Sequence, residues 1–194
     1  MGKLIRLRGI EVRIVFLGPP GAGKGTQAGM LTSELGYVHL STGDMIRDEM
    51  GRGTELGKFT QTFYDKGDLV PDETVIDMIK ERLAGAENVI LDGFPRTVPQ
   101  AASLDDQLYR IGVSLDKVIY FSVDVDELID RLEKRRDIEG RVDDEPEAIR
   151  HRMDVYDRET APVVDYYRDG DRVIQIDALG TIDEVRDRLI GALK

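Results

Sequence analysis

Residues 14–27 read IVFLGPPGAGKGTQ: an apolar run, a glycine-rich turn, one lysine, then a stretch able to form a helix. An apolar run of this length that stops at glycine and proline reads as a buried strand. A glycine-rich loop between strand and helix is the context of a phosphate-binding loop rather than of a plain turn. The glycines let backbone N–H groups converge on a phosphate at the positive end of the helix, and Lys24 adds a full charge. One position departs from the commonest pattern. The residue after the lysine, which usually offers a hydroxyl to Mg²⁺, is Gly25, and Thr26 follows one place later. Thr26 therefore takes another role or misses the metal. Mg²⁺ would then be held loosely, through phosphates and waters, which it tolerates because it gives up its waters reluctantly. Asp92, at the end of the apolar run in VILDGF, is the carboxylate expected behind those waters, although Asp-Gly is also an ordinary turn pair.

Working outward, β-branched runs recur at residues 12–17, 37–40, 89–92, 117–123 and 173–177, with helical patterns between them. That alternation predicts an α/β fold, a parallel sheet covered by helices. Leu31 with Leu35, then Val75, Ile76, Ile79 and Leu83, then Leu128, Ile129 and Leu132 are spaced as apolar helix stripes and are expected in the core. Thr181 and Glu184 form a capping-box pattern ahead of Val185 and Leu189, so a last helix should close the domain. Two stretches interrupt the alternation. Residues 41–70 hold two short helical patterns broken by Gly51, Gly53 and Gly67, and residues 134–144 are polar, charged and turn-prone. Both are candidate moving parts.

The whole chain bounds what this machinery can serve. Its 194 residues suffice for one well-buried domain. A formal charge of −11 opposes general binding to nucleic acid or to an anionic membrane surface. There is no cysteine, so neither a disulfide nor a thiolate zinc site can form, which fits a reducing compartment. The first residues, MGKLIRLRGIE, hold no uninterrupted apolar run that would act as a signal or membrane segment. A cytoplasmic protein is expected.

Arginines are placed more generously than one nucleotide requires: Arg47 after STGDMI, Arg96 in DGFPRT, and Arg131, Arg135, Arg141 and Arg152 in or beside the second interruption. Arginine makes bidentate, permanently charged contacts to phosphate. Taken singly, each also fits a solvated helix face paired with the abundant acids.

The motifs GPPGAGKGTQA, LSTGDMIR, KGDLVPDE, LDGFPRTVPQA, EGRVDD and IDALGTIDEV, in this order along nearly the whole chain, resemble the adenylate kinases of the nucleoside monophosphate kinase group. In that family a glycine after the lysine is usual. The resemblance implies a P-loop three-layer α/β/α fold with a five-stranded parallel sheet, a core of residues 1–40, 71–133 and 145–194, an NMP-binding flap at 41–70 and a short lid at 134–144. It implies that Gly21, Ala22, Gly23, Lys24, Gly25 and Thr26 grip ATP phosphates, with Arg131 against the ATP base, Arg135 on its phosphates and Gly180 near its adenine. Thr42, Arg47, Asp68, Leu69, Val70, Gly93, Phe94, Pro95, Arg96 and Gln100 would contact AMP, and Arg141 and Arg152 would lie between the nucleotides. Lys24, Arg96, Arg135, Arg141 and Arg152 would be the catalytic set. Asp143 and Asp144 match the lid pattern, in which they orient arginines; two acids in a polar loop fit a solvated surface equally well. Longer family members carry a lid of several strands, sometimes clamped on zinc by four cysteines, and this chain resembles the short-lid, zinc-free form. The family is usually monomeric.

The implied reaction is ATP + AMP ⇌ 2 ADP with Mg²⁺. The second pKa of a phosphate monoester, about 6, leaves AMP mostly ionised at neutral pH, so no general base is needed. Charge is the obstacle: about −6 on the two nucleotides, about −4 with one Mg²⁺. The arginines and Lys24 would offset it, and closure over the site would exclude water. A UMP/CMP kinase would use the same scaffold, with Thr42 and Gln100 as the residues that discriminate. A GTPase-like switch is disfavoured, because no Asn-Lys-x-Asp guanine-reading motif is present.

Overall fold

The computed structural model describes residues 13–83, 88–168 and 172–194. Val12, expected to open the first strand, and the extension before it lie outside these residues. Five strands form one parallel sheet: β1 (Arg13–Leu17), β2 (Val38–Ser41), β3 (Val89–Asp92), β4 (Lys117–Ser122) and β5 (Val173–Asp177), in spatial order β2-β3-β1-β4-β5. Nine α-helices accompany them among the described residues: α1 (Lys24–Leu35), α2 (Thr42–Gly51), α3 (Glu55–Tyr64), α4 (Asp72–Leu83), α5 (Val98–Arg110), α6 (Val125–Glu139), α7 (Pro146–Val155), α8 (Ala161–Arg168) and α9 (Ile182–Ala192). A π-type turn, Tyr156–Thr160, joins α7 to α8. The α/β expectation and the five strands hold, with strand ends shifted by at most one residue.

Residues on β1 alternate between two cores. Ile14 and Phe16 point into one, with Leu31, Leu128, Val185 and Leu189; Val15 and Leu17 point into the other, with Met45, Ile79, Leu104 and Tyr167. A strand buried on both faces must be apolar at every position, which is why the opening sequence reads as a continuous run and not as an alternation. The stripe residues Leu31, Val75, Ile79, Leu128 and Leu132 are buried as expected. Leu35 and Ile129 are not: they are 42% and 38% exposed. Leu35 ends α1 just before the left-handed Gly36, where the helix is already leaving the sheet, and Ile129 adjoins Leu128 on the flank of the stripe.

Two further expectations are sharpened. The capping box forms, with Thr181 Oγ1 accepting from Glu184 N–H and the Glu184 carboxylate accepting from Thr181 N–H. The stretch 134–144 is less turn-like than its composition suggests. Helix α6 runs through it to Glu139 and stops at Gly140, whose left-handed φ of 65° ends the helix; Val142–Asp144 is then a single 3₁₀ turn.

The strand order places the site. Neighbouring β1, β3 leads to one side and β4 to the other, so the chain's winding reverses at β1, and the crevice beyond its carboxyl end is where a sheet of this type admits ligands. Phe16 is in register with Asp92, and Asp92 with Ser41, so the loops after β1, β2 and β3 open at one level.

Candidate active site

The loop after β1 delivers Lys24 to the first turn of α1. Gly23, at the helix N-cap, is left-handed with φ 85°; no side chain caps this end and its first turn holds no acid. The free N–H groups and the helix dipole are therefore left for an anion. Lys24 Nζ donates to the carbonyls of Gly18 and Pro19 at 2.7 and 2.8 Å. Burial pulls its pKa down to about 8, against the opposing attraction of Asp92, and Arg96, Arg152 and Arg135 push in the same direction as burial.

A cavity of about 830 Å³ opens above this loop. All of residues 21–26 line it, as do Asp92, Arg131, Arg135 and Gly180. A second cavity of about 70 Å³ adjoins it, lined by Thr42, Asp68, Val70 and Gln100 among others. Arg47, Arg96, Arg141 and Arg152 line both, together with Leu69 and Gly93. Pro95 faces the larger cavity alone. Phe94 lines neither: its side chain is 2% exposed and packs in the core. An expected contact there therefore falls to the turn around it.

That turn is tightly built. Gly93 has φ 74°, and a Cβ on it would lie 2.7 Å from Thr42 Oγ1 and 2.9 Å from Arg96 Nη2, so only glycine lets these two groups approach. Thr42 donates to the Gly93 carbonyl at 2.8 Å, and Arg96 Nε donates to the same oxygen at 2.8 Å. Gln100 is 1% exposed. Its Oε1 accepts from Arg96 N–H at 2.8 Å and its Nε2 donates to Asp72 Oδ1 at 2.6 Å, which fixes the orientation of the amide. Burial and the charge of Arg152 hold Arg96 below the usual guanidinium pKa. A cation pressed in this way is a receptor for an anion.

The acids of residues 141–144 are not solvated. Asp143 and Asp144 are 3% and 0% exposed. Asp144 takes Arg135 bidentately, Nε to Oδ2 at 2.6 Å and Nη2 to Oδ1 at 2.7 Å, and Arg152 Nη1 at 2.7 Å. Asp143 takes Arg141 at 3.1 and 3.0 Å. Burial alone would raise the Asp143 pKa, but the hydrogen bonds and charges of Arg141 and Arg152 carry it down to about 2. These acids hold three arginines from α6, the 3₁₀ turn's N-cap and α7 in one cluster.

Some members of the site left no signal in the sequence. His39 Nε2 lies 3.2 Å from Asp92 Oδ2, Asp72 anchors Gln100 from the first turn of α4, and Tyr64 sits among Arg47, Arg141 and Asp143. Only the fold brings them in, so spacing along the chain could not have found them. Arg131 is placed by Glu127 at 2.8 Å and by the Ala178 carbonyl at 2.9 Å, at the rim that Gly180 shares.

A family profile described as Adenylate kinase matches residues 16–172. The chain is 48% identical over 180 residues to an adenylate kinase of Thermus thermophilus, covering 93% of this chain and 96% of that protein. It is 48% identical over 186 residues to an adenylate kinase of Thermobifida fusca (94% and 98%) and 45% identical over 186 residues to one of Stenotrophomonas maltophilia (94% and 100%). With a glycine-rich loop at the sheet's reversal point and arginines gathered over it, the chain belongs to the adenylate kinase family and is a nucleotide-binding phosphotransferase.

Proposed function

We propose that the protein transfers the terminal phosphoryl group of ATP to AMP, reversibly, giving two ADP, with ATP in the larger cavity and AMP in the smaller. One observation carries this reading: Arg47, Arg96, Arg141 and Arg152 line both cavities. A phosphate entering from either side therefore meets the same cations, as a donor and an acceptor held in line require. A nucleotide switch has no use for a second phosphate pocket.

In this reading the loop N–H groups and Lys24 hold the donor's β and γ phosphates, and Arg135 the γ phosphate. Arg131 and Gly180 flank the donor base. The shared arginines offset the charge that four phosphate groups bring together and stabilise the charge on the transferred group. The acceptor oxygen is already ionised, so no residue serves as a general base. Closure of residues 41–70 and 134–144 over the cavity excludes water from a loose transition state.

Mg²⁺ fits this site as a guest of the nucleotide. The described residues contain no group of three or more His, Asp or Glu able to hold a metal; of the four acids lining the larger cavity, Asp44, Glu127 and Glu139 face Arg47, Arg131 and Arg141, while Asp92 stands beside Gly25, whose added Cβ would lie 3.5 Å from it. Such a donor set suits an ion that keeps its waters and takes its other ligands from phosphate. Asp92 would hold it through water, and the ion would neutralise charge on the donor phosphates.

Adenine is favoured at the acceptor by Gln100. With Oε1 and Nε2 each already engaged once, the amide retains one N–H and one oxygen lone pair, the complement of the adenine N1 and N6-amine edge. Uracil presents the reverse pattern; cytosine presents the same one on a smaller ring. The protein is read as a cytoplasmic monomer acting on free nucleotides. The test is ADP formation from MgATP with AMP, CMP, UMP or GMP offered separately, beside a control without acceptor. Turnover with AMP alone is expected. Turnover with pyrimidines would move the assignment to a UMP/CMP kinase, and hydrolysis without acceptor would refute water exclusion.

A further inference from the structure

Tyr64 is the last residue of α3, inside the segment read as the acceptor flap, and its hydroxyl is engaged on three sides. It accepts from Arg47 Nη1 at 3.2 Å and from Arg141 Nη2 at 3.1 Å, and it donates to Asp143 Oδ1 at 3.0 Å. That is the full capacity of a phenol oxygen: one donor, two acceptor positions. Arg47 belongs to α2, whereas Arg141 and Asp143 lie 77 and 79 residues from Tyr64 in the chain. One oxygen thus joins the two segments expected to move.

The chemistry of the bridge matters. Two guanidiniums on one atom repel each other, and a carboxylate would bring them together only by cancelling charge that the phosphate needs. A hydroxyl brings them together without adding a second carboxylate to the one, Asp143, that Arg141 already donates to. Donors remain for a ligand: Arg141 Nη1 makes only a long contact, 3.6 Å to Glu139, and Arg47 Nη2 is held by Asp44, whose side chain is 63% exposed and able to swing into water. The tyrosine ring is partly buried against the core on the α2 and α4 side of the sheet, so the hydroxyl is presented from a fixed base.

We propose that Tyr64 is a positioning residue for phosphoryl transfer, its hydroxyl coupling Arg47 of the acceptor flap to Arg141 of the lid so that closing either segment brings both cations to one phosphate. This rests on the adenylate kinase reading of the two cavities. It makes occupation of the donor site strengthen AMP binding, through a hydroxyl that joins the two segments beside the smaller cavity, which Tyr64 also lines.

The test is Tyr64→Phe, which keeps the ring and removes the bridge. Two quantities are read: kcat/KM for AMP, and AMP affinity by calorimetry with and without a non-hydrolysable ATP analogue. Loss of the hydroxyl, with its three hydrogen bonds to charged partners, should lower kcat/KM for AMP at least about tenfold and shrink the analogue's enhancement of AMP affinity by a similar factor. In an Arg47→Met background the flap cation is gone, so adding Tyr64→Phe should cost less than about threefold further. An effect of twofold or less in the otherwise native protein would overturn the proposal, as would a full tenfold loss persisting in the Arg47→Met background. A native protein that fails to phosphorylate AMP would instead overturn the proposed function.

Discussion

Replacing Asp144 with asparagine should cost more stability than a residue so close to a flexible-looking loop suggests. The carboxylate is 0% exposed and receives three charged hydrogen bonds at 2.6 to 2.7 Å, two from Arg135 and one from Arg152. Asparagine keeps the shape but removes the charge and turns an NH₂ donor toward guanidinium donors. Breaking a buried pair from one side costs about 3 to 5 kcal/mol, because the partner is left uncompensated. The arginines moderate this: the side chains of Arg135 and Arg152 are 27% and 16% exposed, so water reaches part of each. About 3 kcal/mol is therefore expected. For a domain of this size that lowers Tm by roughly 6 to 12 °C. Urea unfolding should show a lower midpoint with an unchanged slope, since the native surface is little altered. Nucleotides should recover part of the loss, because their phosphates take over as counter-ions, so ATP with AMP would raise Tm more in the variant than in the native protein. A variant within about 1 kcal/mol of the native protein would show that Asp144 does not organise the arginines.

Other expectations follow from the same contacts. Lys24 has a pKa of about 8 in the empty site and must be charged against phosphate, so ATP binding near pH 8.5 should take up a proton, read by calorimetry in buffers of different ionisation heat; Lys24→Met should abolish the uptake and lower turnover by several powers of ten while the fold persists. The same depressed pKa means that between pH 8 and 10.5 the unfolded chain holds a proton the folded one has lost, so this group's contribution to stability rises with pH in that window. Asp143 has the same sign in a lower window: with its pKa at about 2, its contribution of about 2 kcal/mol is complete above pH 4 and disappears as pH falls from 4 toward 2, and an Asp143→Asn variant should lack that part of the acid transition. Thr42→Val should reduce discrimination between AMP and other monophosphates by about 1 to 3 kcal/mol in relative kcat/KM; an unchanged preference would remove Thr42 from the reading group.

The sequence was most legible where function and fold share a local signal. The phosphate loop is written in consecutive residues, because a glycine turn, a lysine and the end of an apolar strand must be neighbours to work, and β1 and β3 are visible because burial at every position makes each a short apolar run, whereas the edge strands β2 and β5 show only as β-branched residues among polar ones. The arginines were harder. Arg96 and Arg158 look alike in sequence, yet Arg96 sits against Gly93 and Gln100 while the Arg158 side chain is 66% exposed beside Glu159. What separates them is the path of the chain around them. Leu35 and Ile129 mislead for a related reason, since apolar spacing identifies a stripe but not its edges. Tyr64, His39 and Asp72 were beyond reach, each acting through a partner far away in sequence.

Asp143 and Asp144 bear on how this site can exist unloaded. The chain as a whole is acidic, at −11, yet its centre gathers Lys24 and five or more arginines around a space meant for anions. Without counter-ions those cations would repel one another, and burial already presses Lys24, Arg96 and Arg152 toward losing their protons. Two buried acids hold Arg135, Arg141 and Arg152, while Lys24 is held by loop carbonyls and Arg96 by the Gly93 carbonyl. The distribution is uneven in a useful way. Two of these arginines, Arg135 and Arg141, lie on the segment expected to move, where an unpaired cation would keep the site open by repulsion, and Arg152 meets them from α7. Cations held only by neutral carbonyls lie on the rigid sheet edge, where backbone geometry fixes them and their charge is left whole for the phosphate. Exchanging the two arrangements would weaken both functions: a carboxylate hydrogen-bonded to Lys24 in place of the Gly18 and Pro19 carbonyls would compete with ATP, and residues 134–144 without their acids would resist closure until both nucleotides were bound.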